Sequence, residues 1–349
     1  MIVHISSQLI VNWYHQYGRK NLPWQINKTL YTVWISEIML QQTSVKTVIP
    51  YFQKFLLRFP NIKILNNASL DEILYLWSGL GYYSRARNIY KTSKIIEKEF
   101  KGQFPDQFSD VIKLPGIGKS TAGAILSLSL NYFYSILDGN VKRILIRYYN
   151  IMNDLTKNKM EKKLWNLIEL ITPIHHTGKF NQAMMDIGSL ICTPLIPKCS
   201  LCPIKKTCVS FRKNNWKKTS FKTSKTKHLQ KESWFVLIEF NNTFWMNQNI
   251  NKLIWKNLFY FPNFINESEM LNWLKAKKIN IKKIKKMPSF FHKFSHFTLN
   301  IHPILINLSF FEHSFFLSNN EKGIWFNKQK PQHIGLPKAV QKMLDFLKK

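Results

Sequence analysis

Residues 114–122 read LPGIGKSTA, and this stretch decides the fold of the first part of the chain. Pro115, Gly116 and Gly118 predict a tight turn between two helical segments, because glycine adopts positive φ values and permits close backbone approach. The backbone N–H groups of such a turn, at a helix N-terminus, can hold a phosphate oxygen. A plain corner between two helices has the same pattern, so the turn alone leaves both interpretations open.

The turn lies within a region, 1–190, whose apolar residues recur at helical spacing. Ser6 or Ser7 is the candidate N-cap of the first helix, and Gly18 is its candidate end. Further helices are predicted at 32–42, 45–58, 70–76, 84–99, 119–130, 140–149 and 160–171. Strand-like alternation is scarce here, so this part of the chain is predicted to be all-α.

The charge of the chain indicates a polyanionic partner. Lys and Arg number 51 against 19 Asp and Glu, which gives a formal net charge of +32. Such an excess favours nucleic acid or an anionic membrane surface. No apolar run reaches the roughly 18–20 residues that a spanning helix needs, and the N-terminus lacks the pattern of a secretory signal. With 349 residues, 45% of them apolar, the chain is predicted to form two domains with ordered cores rather than to be disordered.

Two carboxylates stand at positions suited to acid–base chemistry. Glu37, in WISEIMLQQT, lies beside an apolar, Trp-containing stripe of a predicted helix. Partial desolvation raises the pKa of a carboxyl toward neutrality, which suits a general acid. Asp138, in LDGNVKR, is a good N-cap for the helix that follows and also places a carboxylate near the turn. On spacing alone, a surface glutamate and a capping aspartate are the competing interpretations.

The four cysteines of the chain all lie within one short segment, with the spacing C-x6-C-x2-C-x5-C. They are Cys192, Cys199, Cys202 and Cys208. Without a secretory signal a reducing compartment is expected, where clustered thiols are typical of metal or cluster ligands rather than disulfides. Four thiolates can bind a [4Fe–4S] cluster or a zinc ion, and the spacing alone leaves both open.

The character of the sequence changes toward the C-terminus. The stretch 205–231 is rich in Lys and Arg and has no Asp or Glu, so 212–232 is predicted to be a basic linker after a helical domain at 1–211. After Ser233, runs such as WFVLIEF, TFWMN and FTLNIHPILINL are strand-like, whereas LNWLKAKK and PKAVQKMLDFL are helix-like. These runs predict a separate α+β domain at 233–349.

Taken together and in this order, the motifs resemble the adenine DNA glycosylase (MutY-type) family of the helix–hairpin–helix DNA glycosylase superfamily. The similarity extends to WSGLGYYSRARN at 77–88 and FNQAMMDIGSLICTPLIPKCSLCPIKKTC at 180–208, and it covers most of the chain. It implies a multi-domain protein: an all-α helix–hairpin–helix glycosylase domain with an iron–sulfur loop at 192–208, plus a C-terminal α+β Nudix-like domain. It also implies one [4Fe–4S] cluster held by the four cysteines.

The resemblance assigns roles to individual residues. Glu37 matches the residue that protonates the adenine leaving group, Asp138 the carboxylate that stabilises the sugar cation, and Asn140 a residue that supports that site. The positions around the flipped adenine are Arg19, Leu22, Trp24 and Gln182. The positions that probe the duplex are Gln42, Leu80 and Tyr82, and those of the loop against the oxidised base are Phe294, Ser295 and His296. The turn residues expected at DNA phosphates are Gly116, Gly118, Lys119 and Ser120.

The expected activity is removal of adenine mispaired with 8-oxoguanine or guanine in duplex DNA. Endonuclease III-type relatives cleave the strand with a lysine at the position of Ser120, and Lys119 would point about 100° away on the helix, so little lyase activity is expected. A bifunctional pyrimidine-damage glycosylase and a DNA-binding protein without catalysis are the alternatives.

The absence of a Nudix hydrolase motif predicts no nucleoside-triphosphate hydrolysis. The family's Gly-rich WGGLWEFP segment is replaced by IWKNLFYFPNF. A cytoplasmic, nucleoid-associated monomer without a membrane partner is expected.

Overall fold

The computed structural model describes residues 4–152, 156–217, 229–249, 254–294, 296–317 and 323–347. Two compact units divide the chain: the first comprises 1–67 and 88–223, and the second comprises 68–87 and 224–349. The sequence-based division placed all of 1–211 in one domain, whereas residues 68–87 group with the C-terminal unit. Of the linker predicted at 212–232, residues 218–228 lie outside the described residues, whereas residues 229–232 already belong to the first strand of the second unit. Across the described residues, every helix is too short or too polar to span a membrane.

Helices dominate from the N-terminus to the cysteine segment, as the spacing of apolar residues predicts. Their bounds are α1 Ser7–Tyr17, α2 Pro23–Ile26, α3 Leu30–Leu40, α4 Val45–Arg58, α5 Ile62–Asn67, α6 Leu70–Leu76, α7 Ser84–Phe100, α8 Phe108–Val111, α9 Lys119–Leu130, α10 Gly139–Tyr148, α11 Lys157–Ile171, α12 Thr177–Leu190 and α13 Val209–Arg212. The predicted helices at 45–58, 70–76, 84–99, 119–130, 140–149 and 160–171 are therefore confirmed. Local caps begin several of them, because a side-chain oxygen satisfies an orphan backbone N–H at the N-terminus.

The packing of α12 against α1, α9 and α10 forms the core of the first unit. Fully buried Leu145, Phe180 and Ile187 belong to this core. Gly188 permits a close approach of α12 to the start of α10, since a Cβ at this position would lie 2.4 Å from the Cβ of Asn140. A larger residue at 188 would therefore push α12 away from the start of α10.

The second unit is built on a β-sheet, as the strand-like runs predict. Its strands are β1 Leu229–Phe240, β2 Thr243–Gln248, β3 Phe259–Tyr260, β4 Asn263–Phe264, β5 Lys285–Lys286, β6 Phe290–Lys293, β7 Phe297–Asn307 and β8 Gly323–Asn327. The order along the main path is β3-β2-β1-β7-β5, with β4 beside β1, β6 beside β7 and β8 beside β2. The central pair β1–β7 is parallel, and the other pairs are antiparallel.

Helices α14 Glu267–Ala276, α15 Phe310–Leu317 and α16 Lys338–Phe346 complete the second unit. Successive residues of β1 point to opposite faces, so Phe235 belongs to a core with residues of α16 and Val236 belongs to a core with residues of α14. Both faces of β1 are therefore buried, which explains its nearly continuous apolar run.

Residues 68–87 are tied to the C-terminal part of the second unit by hydrogen bonds. The Tyr83 hydroxyl donates to the Leu336 carbonyl at 3.0 Å, and the Leu336 N–H donates to the Ser78 hydroxyl at 3.1 Å. The Arg87 guanidinium donates to the Lys256 carbonyl at 3.0 Å. These bonds join α6 and the start of α7 to the loops that follow β2 and β8.

The segment that replaces the family's glycines contains residues in the left-handed conformation. Asn257 has a φ of 63°, and its N–H donates to the Asn249 carbonyl at 2.6 Å. Asparagine tolerates this conformation better than most residues other than glycine, so no glycine is required at this position. Trp255 also has a positive φ, 58°.

Candidate active site

A cavity of about 830 Å³ in the first unit brings together most of the residues predicted for catalysis and base binding. Its predicted members are Arg19, Leu22, Trp24, Glu37, Gln42, Ser120, Asp138, Asn140 and Gln182. They come from separate parts of the chain, from the loop after α1 to the middle of α12. The fold therefore makes one site from motifs that the sequence shows only as separate segments.

Glu37 is half-buried on α3, whose neighbouring residues Trp34, Ile35 and Ile38 are buried. Burial, and secondarily the charge of Asp138, raises the pKa of Glu37 from 4.5 to about 7. Among the described residues, no hydrogen bond or ion pair to the Glu37 carboxyl is present. Such a carboxyl carries a proton near neutral pH and has its oxygens available to a ligand, which is what a general acid requires.

Asp138 is the N-cap of α10, and one of its oxygens accepts the Val141 N–H at 2.8 Å. The other oxygen accepts from the Asn140 side-chain amide at 2.8 Å. Both carboxylate oxygens are thus held in place while the group still lines the cavity. The capping role and the functional role are therefore compatible, because the cap fixes the orientation of the carboxylate.

Arg143 extends this arrangement of Asp138 and Asn140. The guanidinium donates to the Asn140 Oδ1 at 2.9 Å, to the Gly188 carbonyl at 2.6 Å and to the Cys192 carbonyl at 2.7 Å. It is half-buried, and it joins α10, α12 and the cysteine segment. The signal in the sequence is its spacing of three residues from Asn140, which places both side chains on one helix face.

Arg19 and Gln182 are both bonded to Asp186, a residue that the sequence reasoning missed. The Asp186 side chain is fully buried and forms an ion pair with Arg19 at 2.6 Å. The Gln182 amide donates to the same carboxylate at 3.0 Å. Gln182 and Asp186 stand four residues apart on α12, and this spacing is the signal that could have revealed the pair.

The remaining cavity residues differ in exposure. Trp24 is buried, and its ring packs edge-on against Phe52 at 5.4 Å between centroids, whereas Leu22 is half-buried. Gln42 is exposed and has a φ of 57°, an uncommon value for glutamine. Such strain tends to persist where the surrounding structure holds a functional conformation.

In the turn at 114–120, Gly116 has the glycine geometry that the sequence predicts, whereas Gly118 has an ordinary negative φ of −97° and open space where a Cβ would lie. Gly116 has a φ of 82°, and a Cβ there would lie 2.6 Å from the Asn88 side-chain amide. Gly118 is the N-cap of α9 and has no side-chain cap. Lys119 forms an ion pair with Glu169 at 2.8 Å and lies over the Trp165 ring. Ser120 instead lines the cavity of about 830 Å³, and its hydroxyl accepts the Leu137 N–H at 3.0 Å.

The second unit has its own cavity, of about 610 Å³, that contains Tyr82, Phe294 and His296. Tyr82 is exposed and has a φ of 47°, whereas Leu80 is only 6% exposed and does not line this cavity. The Phe294 ring stacks on Phe297 at 4.5 Å between centroids. Ser295 lies outside the described residues.

The four cysteines are free thiols that line one cavity together with apolar residues such as Ile144 and Ile187. Burial, with smaller contributions from the neighbouring thiols, raises the pKa of Cys202 to about 12. Arg147 donates to the carbonyls of Cys192, Thr193 and Pro194 and so fixes the start of the segment. Within the described ranges, no three His, Cys, Asp or Glu side chains are grouped closely enough to hold a single metal ion.

Family models and curated relatives match this chain. Residues 35–170 match the HhH-GPD superfamily of base excision DNA repair proteins, and residues 233–346 match the NUDIX domain. The adenine DNA glycosylase of Buchnera aphidicola subsp. Acyrthosiphon pisum is 63% identical over 349 residues, which is 100% of this chain and 99% of that protein. The human adenine DNA glycosylase is 38% identical over 208 residues, 57% of this chain and 38% of that protein.

Solved structures share the fold of part of the chain. A thermostable thymine-DNA glycosylase matches with a TM-score of 0.54 and 26% identity, over 59% of this chain and 95% of that one. A non-covalent endonuclease III–DNA complex matches with a TM-score of 0.50 and 20% identity, over 60% of this chain and 94% of that one. At this identity the match is evidence for the fold and not for the function. The full-length relationship to the Buchnera protein goes further than these partial matches, and it establishes that the chain belongs to the adenine DNA glycosylase family and is a DNA glycosylase.

Proposed function

We propose that the protein hydrolyses the N-glycosidic bond of adenine mispaired with 8-oxoguanine or guanine in duplex DNA. The observation that carries this proposal is the pair of carboxyls on one cavity, Glu37 with its pKa raised to about 7 and Asp138 held by a cap and an amide. The adenine glycosylase relatives support adenine as the base.

The chemistry follows from the separate environments of the two groups. A base within a duplex is out of reach, so the adenosine must be flipped into the cavity. Protonated Glu37 donates its proton to the leaving adenine, and the Asp138 carboxylate stabilises the oxocarbenium-like sugar. Water then forms a bond to the sugar carbon and gives up one proton to the Glu37 carboxylate, which restores the acid. Asn140 keeps Asp138 oriented throughout, since its amide donates to the carboxylate.

We further propose that the enzyme does not cleave the strand. Lyase activity requires an amine that attacks the sugar, and the residue at that position is Ser120, whose hydroxyl accepts the Leu137 N–H. The neighbouring Lys119 amine is paired with Glu169 and lines a different cleft. These contacts support hydrolysis without formation of an imine.

The second unit is proposed to recognise the oxidised base opposite adenine. Its cavity has aromatic walls that include Trp255, Phe294 and Phe297 and a basic rim that includes Arg87 and Lys338. Aromatic rings stack on bases, and cations neutralise phosphates, so this composition suits a nucleotide. Phe294 and His296 are the proposed contacts.

One [4Fe–4S] cluster is proposed as the cofactor. Four free thiols on one cavity form the donor set that such a cluster takes. When bound, the cluster would cross-link the segment from Cys192 to Cys208 and would take no part in hydrolysis. Iron and sulfide analysis tests this directly, and stoichiometric zinc in place of iron would contradict it. The protein is proposed to act as a cytoplasmic, nucleoid-associated monomer.

The decisive experiment is a single-turnover assay on a duplex with adenine opposite 8-oxoguanine, with and without alkali treatment afterwards. We expect adenine release, with strand breakage only after alkali and no borohydride-trapped complex. Breakage without alkali would contradict the monofunctional assignment. Tight binding without release would favour a DNA-binding protein that lacks catalysis.

A matched pair of variants tests the role of the second unit. Phe294→Ala should reduce the preference for adenine opposite 8-oxoguanine over adenine opposite guanine. The control is Phe291→Ala, the same change at a 62%-exposed ring on the neighbouring strand β6. If both variants show the same preference for adenine opposite 8-oxoguanine over adenine opposite guanine, the result would contradict lesion recognition at this loop.

A further inference from the structure

Asp186 is a fully buried acid that does not line the catalytic cavity, although two of its partners do. Its Oδ2 accepts the Arg19 backbone N–H at 2.8 Å. Its Oδ1 accepts from the Arg19 Nε at 2.9 Å, the Arg19 Nη2 at 2.6 Å and the Gln182 Nε2 at 3.0 Å. One carboxylate therefore fixes both the loop after α1 and the amide of Gln182.

The contact with Asp186 settles the orientation of the Gln182 amide. Oxygen and nitrogen of an amide are assigned from their hydrogen bonds, and a carboxylate only accepts. The Gln182 Nε2 must therefore face Asp186, which leaves Oε1 as the group for the cavity that Gln182 lines. Among the described residues, no donor to the Gln182 Oε1 is present.

We propose that Asp186 is a positioning residue that sets the base specificity of the enzyme through Gln182. With its amide held, Gln182 presents an acceptor, which pairs with the 6-amino donor of adenine and opposes the 6-oxo acceptor of hypoxanthine or guanine. A site that holds a fixed polar group rejects a mismatched analogue strongly, because a buried acceptor is left unpaired. This inference rests on the proposed adenine-removing function.

The variant Asp186→Asn tests the inference. A neutral amide oxygen has two lone pairs, and the charged Arg19 donors are expected to take both because charge-assisted bonds are stronger. Gln182 is then free to rotate and offer its Nε2 to a 6-oxo purine. The ratio of the single-turnover rates for adenine and hypoxanthine, each opposite 8-oxoguanine, should fall about tenfold relative to wild type. The control Asp110→Asn, the same change at an exposed ion pair on α8, should keep the ratio.

A second variant separates positioning from a merely structural role. In Asp186→Asn combined with Gln182→Glu, the new carboxylate presents an acceptor in either orientation, so the preference for adenine should return. Equal loss of both rates in Asp186→Asn with an unchanged ratio would overturn the proposal. So would a double variant that leaves the ratio at the single-variant value.

Wild-type protein provides a test that does not depend on the folding of a variant. Each single-turnover rate is divided by the acid-catalysed depurination rate of the same nucleotide, so that differences in the intrinsic strength of the N-glycosidic bond cancel. The normalised rate should be highest for adenine, lower for unsubstituted purine and lowest for hypoxanthine. Equal normalised rates for adenine and hypoxanthine would overturn the role of Asp186 alone, whereas release of neither base would contradict the proposed function itself.

Discussion

Replacement of Glu37 by glutamine should make the folded protein more stable at alkaline pH while it slows catalysis. The pKa of Glu37 is raised from 4.5 to about 7, chiefly by burial. Because the pKa of Glu37 is higher in the folded than in the unfolded protein, the free energy of unfolding is greatest below pH 4.5. It falls as the pH rises from 4.5 through 7. Each pKa unit corresponds to about 1.4 kcal/mol, so ionised Glu37 costs the wild type about 3 kcal/mol at pH 8. Glutamine carries no charge and avoids this cost.

The assay compares urea-induced unfolding of holoprotein at pH 8.0 and pH 5.5. Glu37→Gln should exceed the wild type in free energy of unfolding by about 3 kcal/mol at pH 8.0 and by only about 1.4 kcal/mol at pH 5.5. In single-turnover assays the variant should lose about 100- to 10,000-fold in adenine release. The wild-type rate should fall above pH 7, as the acid loses its proton, and the residual rate of the variant should lack that decline.

The matched control is Glu99→Gln, the same change at an exposed position on α7. It should alter neither the unfolding free energy nor the pH profile. A Glu37→Gln variant that is no more stable than wild type at pH 8.0 would refute the burial argument. A variant that keeps the wild-type decline above pH 7 would refute the assignment of Glu37 as the acid.

Four further outcomes are expected. Asp138→Asn should abolish most adenine release yet change the unfolding free energy by less than about 1 kcal/mol, because asparagine caps a helix as well as aspartate does. Arg143→Ala should destabilise the protein by about 1–3 kcal/mol and slow adenine release, because it leaves buried acceptors unpaired; an unchanged rate would count against its positioning role. Gly116→Ala should cost about 1–3 kcal/mol and weaken DNA binding, since φ is 82° and the new Cβ would meet Asn88 at 2.6 Å. Binding of the +32 chain to DNA should weaken linearly on a plot of log K against log salt, and a flat plot would contradict phosphate contacts.

Much of the helical part could be predicted because its signals are local. Apolar spacing of 3–4 residues predicts the helices, and a carboxylate at the first position before a helix predicts the cap at Asp138. The burial that chiefly raises the pKa of Glu37 is predicted by the apolar stripe on its own helix, although the smaller contribution of Asp138 is not. Each of these inferences needs only residues within about one helical turn of each other.

The features that the sequence did not reveal depend on distant parts of the chain. Asp186 binds Arg19, which lies 167 residues earlier in the chain, and no sequence pattern within either segment predicts this pairing. The parallel pairing of β1 with β7, in which Leu229 lies opposite Phe297, is equally non-local. The grouping of 68–87 with the C-terminal unit involves contacts between distant segments, such as the Tyr83–Leu336 hydrogen bond and the stacking of Tyr75 on His333, that alternation and composition do not encode.

The contrast between the overall charge and the charge of the cavity has a chemical consequence. The chain carries +32, yet its catalytic cavity brings together the carboxyls of Glu37 and Asp138. Two nearby carboxyls resist a second ionisation, and the charge of Asp138 accordingly raises the pKa of Glu37. We expect bound duplex DNA, which adds negative charge and displaces water, to favour the protonated form of Glu37 further, so the decline of the wild-type single-turnover rate should lie above pH 7 and not below it. The net positive charge of the chain would attract the polyanion, and the bound polyanion would help to retain on Glu37 the proton that the leaving base requires.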